Sequence, residues 1–177
     1  MKTRISFVSN SSSSSFVVIP QKEVVKSESL SLEELREQED FVRRSILDEI
    51  ADLELKDGKW LGLFREGEKE FGWQTRAYYD LPSKWNWMVL QVGYGFTEDN
   101  WSGPTGKCRD AVDGYLAGLG LPTVDWDEVA MLENGIEAYI DHQSIDAEAT
   151  FAEIDCIGIT GWLYNPNCFV QNGNDNG

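Results

Sequence analysis

Histidine is almost missing from this sequence, with His142 the single example, and cysteine appears only at Cys108, Cys156 and Cys168. One imidazole confines Ser–His or Cys–His catalysis to whatever nucleophile folds against His142. No nucleophile-elbow or cysteine-hydrolase pattern surrounds Cys108 or Cys156. An odd cysteine count without short repeated spacings does not make a secreted disulfide framework, so buried reduced thiols are expected. His142, Cys156 and Cys168 are ligand types that suit zinc, but the paired short spacing of such sites is missing. The glycines at 93, 95, 103 and 106 are not followed by the Lys-Ser/Thr of a phosphate loop, and the dinucleotide fingerprint is absent. No cofactor is expected.

Long apolar runs are lacking as well. None approaches the roughly 20 residues that cross a bilayer. Lys2 and Arg4 are followed only by Ile5, Phe7 and Val8 before the polar residues 9–15. That is too short for the apolar centre of a signal peptide, so a cytoplasmic location is expected. Positive charge is the other scarcity. Fifteen Lys and Arg stand against 31 Asp and Glu, a net charge of −16 and a pI near 4.3. Residues 93–177 alone hold two basic and fifteen acidic side chains, a net of −13. Such a field repels phosphate backbones and anionic membranes, which excludes direct nucleic-acid binding and membrane attachment as expectations.

Apolar and aromatic residues are plentiful: 41% hydrophobic, 12% aromatic and seven Trp. That is enough for one packed core in a chain of 177 residues. Ser31-Leu32-Glu33-Glu34 is a capping box, and Leu35, Val42, Ile46, Ile50 and Leu53 recur on one stripe, predicting a helix over 32–51. Asp57-Gly58 predicts a tight hairpin turn. Residues 65–70 read as a charged loop. Residues 74–80 and 85–94 are rich in aromatic and β-branched side chains, and the second run is apolar on both faces, so it reads as a central strand. Helices are predicted over 105–119, stopped by Gly120, and from Asp125 through Met131. Two closing strands are expected after Ile136, with 145–154 helical as the alternative. The resulting fold class is α+β: a single domain over 1–170, mainly antiparallel sheet with two or three packed helices. Residues 171–177 carry no apolar anchor and are expected to form a flexible tail.

The N-terminus reads Met-Lys-Thr-Arg-Ile-Ser-Phe-Val-Ser-Asn, then five serines, then Phe-Val-Val. Short strands at 4–8 and 15–19, joined by a polar serine loop, follow from the pattern. Phe7 and Phe16 are expected to pin that loop to the core, with serines making local backbone bonds or accepting phosphate. This opening resembles that of a group of uncharacterised proteins found in large bacteriophages and some bacteria. They begin with a basic segment, Phe-Val-Ser-Asn, a serine run and Phe. The likeness covers residues 1–18, with Ser6 standing where the group has Gly. It implies a phage or phage-related origin, hence the host cytoplasm, and carries no activity.

Candidate interaction residues are Trp101, in a Gly/Pro loop where an aromatic anchor would be exposed, and the cluster Asp125, Asp127 and Glu128. Ser11, Ser12 and Ser13 join them as a recognised or modified tag. Trp85 and Trp87 are expected in the core. The leading expectation is a non-enzymatic, phage-associated acidic protein that works through protein–protein contacts. It would be a particle or assembly component, a binder of a host factor, or a homo-oligomer. One alternative is a nucleic-acid mimic that blocks a DNA-binding host protein through rows of carboxylates. Another is a metal-dependent enzyme using the acidic cluster of Asp125, Asp127, Glu128 and Glu133, with Asp141, Asp146 and Glu148 following, although no full calcium loop is present.

Overall fold

The computed structural model describes residues 13–18, 30–71, 76–94, 104–132, 138–140, 154 and 157–174. Helix α1 (Leu32–Ile50) begins at the capping box read in the sequence. The Ser31 hydroxyl accepts from the Glu34 amide at 3.2 Å, and the Glu34 carboxylate accepts from the Ser31 amide at 2.9 Å. Hydrogen bonds from the Ser31 side chain and backbone hold the Glu34 carboxyl below its ordinary range. Val42, Ile46 and Ile50 bury one stripe of α1. Glu49 lies on that stripe too, its charge met by the Arg65 Nε at 2.7 Å.

Helix α2 (Leu81–Tyr94) occupies the centre, and here the expected strand over 85–94 is corrected. Trp85 through Gly93 are all buried. A run that is apolar on every side fits an enclosed helix as well as a central strand, and periodicity cannot separate the two. The start signal does separate them. Asp80 Oδ1 accepts from the Ser83 amide at 2.8 Å, and Pro82 sits in the first turn, where a missing amide costs nothing. Trp85 and Trp87 are core residues, as expected, but on a helix.

Polar atoms of α2 organise the loop before it. Asn86 Oδ1 accepts from the Phe64 amide at 2.7 Å, while its Nδ2 donates to the Phe64 and Glu68 carbonyls at 3.0 and 3.1 Å. The Trp85 indole donates to the Gly62 carbonyl at 2.7 Å.

Helix α3 (Pro104–Gly118) ends as read, at Gly120, whose φ is +68°. Gly120 N donates to Ala117 O at 3.0 Å and Leu121 N to Leu116 O at 2.9 Å, with Leu116 and Leu121 both buried. This paired closure satisfies two orphan carbonyls of the last turn. Asp125 caps α4 (Trp126–Met131), and α5 (Ile159–Tyr164) follows Gly158.

Strands are short. β1 (Ser13–Val18), β7 (Phe169–Asn174) and β4 (Arg76–Tyr78) form an antiparallel sheet in that order. β2 (Lys59–Trp60) pairs in parallel with β5 (Thr123–Val124), and β3 (Glu70–Phe71) with β6 (Tyr139–Ile140). The fold is therefore mixed helix and strand, with few short sheets, rather than mainly antiparallel sheet. Residues 171–174, expected in a tail, belong to the central strand: Asn172 lies opposite both Ser15 and Arg76. The tail reading failed because backbone pairing needs no apolar side chain. Asp57 and Gly58 take positive φ angles of 53° and 72°, as a tight turn requires. The hairpin stops at the single bridge Lys56–Lys59, since Lys59 and Trp60 turn to β5. The strand expected over 4–8, the side chains of Phe7 and Phe16, and the segments 141–153 lie outside the described residues.

At Gly93, α2 packs directly against Val129 of α4. A Cβ there would run into the Val129 side chain. Gly93→Ala is expected to destabilise the protein by about 1–3 kcal/mol through overpacking. A denaturation midpoint equal to that of the wild type would show that α4 can move aside freely. No helix among the described residues is long and apolar enough to cross a membrane.

Candidate functional site

A polar cleft of about 400 Å³ lies where β2, α3 and α4 meet. Helical spacing builds one wall: Gly106, Arg109, Asp110 and Asp113 fall at i, i+3, i+4 and i+7 of α3. Lys59 closes the cleft from β2, and Trp126 and Asp127 from α4. Asp113 ties the walls together. Its Oδ1 accepts from the Val124 amide at 3.2 Å, and its Oδ2 from the Trp126 indole at 2.9 Å. Arg109 is buried, donates from Nη2 to the Gly93 carbonyl at 3.3 Å, and lies 5.4 Å over the Trp126 ring. Burial disfavours its cation, while Asp127 and Asp113 act against that cost. The lining offers charged groups of both signs but no thiol and no imidazole. Its chemistry is that of a shallow charged surface.

The structure divides the acidic cluster singled out in the sequence. Asp125 accepts from the Glu128 amide at 3.2 Å and is occupied as a helix cap. Asp127 joins the cleft, and Glu128 is exposed to solvent. Among the described residues no group of three His, Cys, Asp or Glu side chains is placed to hold a metal ion. Ser13 opens β1 opposite Asn174. Trp101, Ser11, Ser12, His142 and Cys156 lie outside the described residues. Cys108 and Cys168 are buried, reduced thiols.

Sequence reading missed Lys84. This side chain is fully buried, and its Nζ donates to the carbonyls of Trp162, Asn165 and Cys168 at 2.9, 3.0 and 3.1 Å. An ammonium has three donors, so the three acceptors match it one for one. Nζ also lies 5.3 Å from the centroid of the Trp162 ring. The cage fastens the end of α5 and the turn into β7 to the central helix. Burial pushes the Lys84 ammonium down to about 8, with Cys168 and Asp80 opposing. Burial likewise pushes the Cys168 thiol up to about 11. A lone cation inside a run of apolar residues was the available signal, because a buried lysine needs partners.

Above that cage the surface between α1 and α5 forms a groove of about 300 Å³. Gln38 lines it from α1, while Gly161, Tyr164, Pro166 and Asn167 line it from α5 and the following turn. Phe41 and Tyr164 meet edge to face at its rim, centroids 5.9 Å apart, and remain 46% and 48% exposed. Their spacing in the sequence, more than a hundred positions, hid the pair. With the fold and both surfaces in view, no family model, no curated protein and no solved structure matches the chain.

Proposed function

We propose that this is a phage-associated acidic protein that acts through protein–protein contacts, as an assembly component or as the binder of a host factor, and not by catalysis. The observation that carries the reading is the half-exposed pair Phe41–Tyr164 at the rim of a groove. Large aromatic side chains kept in water next to a concave surface are the usual anchors of interfaces. A second exposed ring, Tyr79, packs on Phe169 at 4.7 Å, so the aromatic surface is not confined to one element. The phage association rests on the likeness of residues 1–18. The test is affinity purification of the tagged chain from its native context, followed by mass spectrometry. A defined partner is expected at constant stoichiometry across salt washes. A monodisperse monomer that brings down nothing from infected cells would remove this reading.

A further inference from the structure

We infer that the cleft where β2, α3 and α4 meet is a binding site for a small basic amino acid, a ligand with one carboxylate and two cationic groups. None of its residues belongs to the surface named for protein contacts, so the two readings stand or fall separately. Strand alternation turns Lys59 outward while Trp60 is buried, which brings the ammonium to the mouth from β2. Asp110 reaches the mouth from α3 and Asp127 from α4, and both are exposed. Among the described residues these three side chains make no hydrogen bond and no ion pair. Beneath them the floor is fixed. Asp113 gives both oxygens to the Val124 amide and the Trp126 indole, and the Trp126 ring lies under the Arg109 guanidinium. Arg109 is 8% exposed and is held by the Gly93 carbonyl. Open charges above a floor locked by packing and hydrogen bonds make a site that holds its shape before a polar ligand arrives.

Charge and size choose the ligand. Arg109 and Asp113 are committed to the fold and balance each other, which leaves Lys59 against Asp110 and Asp127. A basic amino acid carries one carboxylate and two cations, the complement of that set in sign and number. Its carboxylate would face Lys59, and its α-ammonium and side-chain cation would face Asp110 and Asp127. The volume of about 400 Å³ lies within the roughly 300–1,000 Å³ usual for small-molecule clefts. Gly106 adds no side chain, so an aliphatic stem has room between the walls. Phosphate esters and dicarboxylates fit poorly, because three carboxylates line the cleft in a chain of net charge −16. A metal ion fits poorly too, since among the described residues no three side chains of the ligating types are placed to hold one.

Isothermal titration calorimetry of the full chain at low salt tests this with four probes: L-arginine, agmatine, N-acetyl-L-arginine and L-glutamate. L-arginine is expected to bind with a Kd on the order of 1 mM, as suits a shallow, water-filled cleft. Agmatine lacks the carboxylate and N-acetyl-L-arginine lacks the α-ammonium, so each is expected to bind roughly tenfold more weakly, and L-glutamate not at all. Lys59→Glu is expected to erase the preference for L-arginine over agmatine, a reversal that a merely structural role would not produce. Asp110→Asn is expected to weaken L-arginine roughly tenfold. Lys59 and Asp110 are both exposed, so both variants are expected to melt with the wild type. No heat of binding from L-arginine at about ten times the expected Kd overturns the inference. Equal binding of agmatine overturns it as well, because the cleft would then read positive charge alone. Equal binding of N-acetyl-L-arginine, which has the groups of a basic residue at a peptide C-terminus, overturns the free amino acid as ligand. A Lys59→Glu protein that keeps the wild-type ratio of L-arginine to agmatine shows that binding occurs elsewhere.

Discussion

Trp85→Ala is expected to destabilise the protein by roughly 3–5 kcal/mol, the usual cost of emptying a fully buried aromatic site. Trp85 is 0% exposed on α2 and stands in the aromatic cluster of the core. Trp60 stacks on it at 6.4 Å, and Phe64 meets it edge to face at 6.3 Å. Its indole is also the donor that satisfies the Gly62 carbonyl. Two losses therefore add in the Ala variant, packing and a buried hydrogen bond. Trp85→Phe separates them. It keeps an aromatic ring but orphans the carbonyl, at about 1–3 kcal/mol. Urea denaturation of the three proteins measures both differences. If Trp85→Ala unfolds at the wild-type midpoint, α2 does not sit at the centre of the core.

The same helix shows where sequence reasoning succeeds and stops. Local rules gave α1, α3 and α4, because Ser31, Gly120 and Asp125 act on backbone groups within a few residues. They gave the two positive φ angles at Asp57 and Gly58 for the same reason. They misread α2, whose burial on all sides erases the amphipathic pattern that marks a surface helix. Asp80 and Pro82 mark the start of α2, a signal that a strand reading built on β-branched and aromatic content leaves unused, and tertiary packing overrides that content. Parallel pairs such as β2 with β5 join residues far apart in sequence, and a two-residue strand carries no period to detect. The surfaces were harder still. Asp127 was visible, but its neighbours Lys59, Arg109 and Asp113 come from other elements. Phe41 and Tyr164 become one feature only after α5 packs on α1.

Lys84 gives the prediction with the clearest dependence on pH. Its folded pKa is pushed down to about 8 from 10.5, so between those values the unfolded chain binds the additional proton. Stability therefore rises with pH across this window, by an amount on the order of 3 kcal/mol in total for this group. Cys168 acts in the opposite sense. Its thiol is raised from 9.0 to about 11, so the folded state keeps a proton that the unfolded state loses, and stability falls across that range. Tyr115, pushed up to about 12 by burial, adds a further fall above pH 10. At pH 8 the Cys168 thiol is neutral, so it does not then act on Lys84 as an anion. The net expectation is a rise from pH 8 to 9, a plateau between 9 and 10 as Cys168 and Lys84 oppose each other, and a decline beyond 10, where Tyr115 adds its fall. Lys84→Met is expected to remove the rise. It should also cost about 2 kcal/mol at pH 7, since the Trp162 and Cys168 carbonyls lose their donor while the relief of a buried charge offsets part of the loss. Cys168→Ala should extend the rise to about pH 10, where Tyr115 begins to oppose it, because the thiol proton is gone. Denaturant midpoints at half-unit steps of pH measure all three proteins. A wild-type stability that falls between pH 8 and 9, or a Lys84→Met protein that keeps the full rise, would show that the ammonium is not held in the dry three-carbonyl cage.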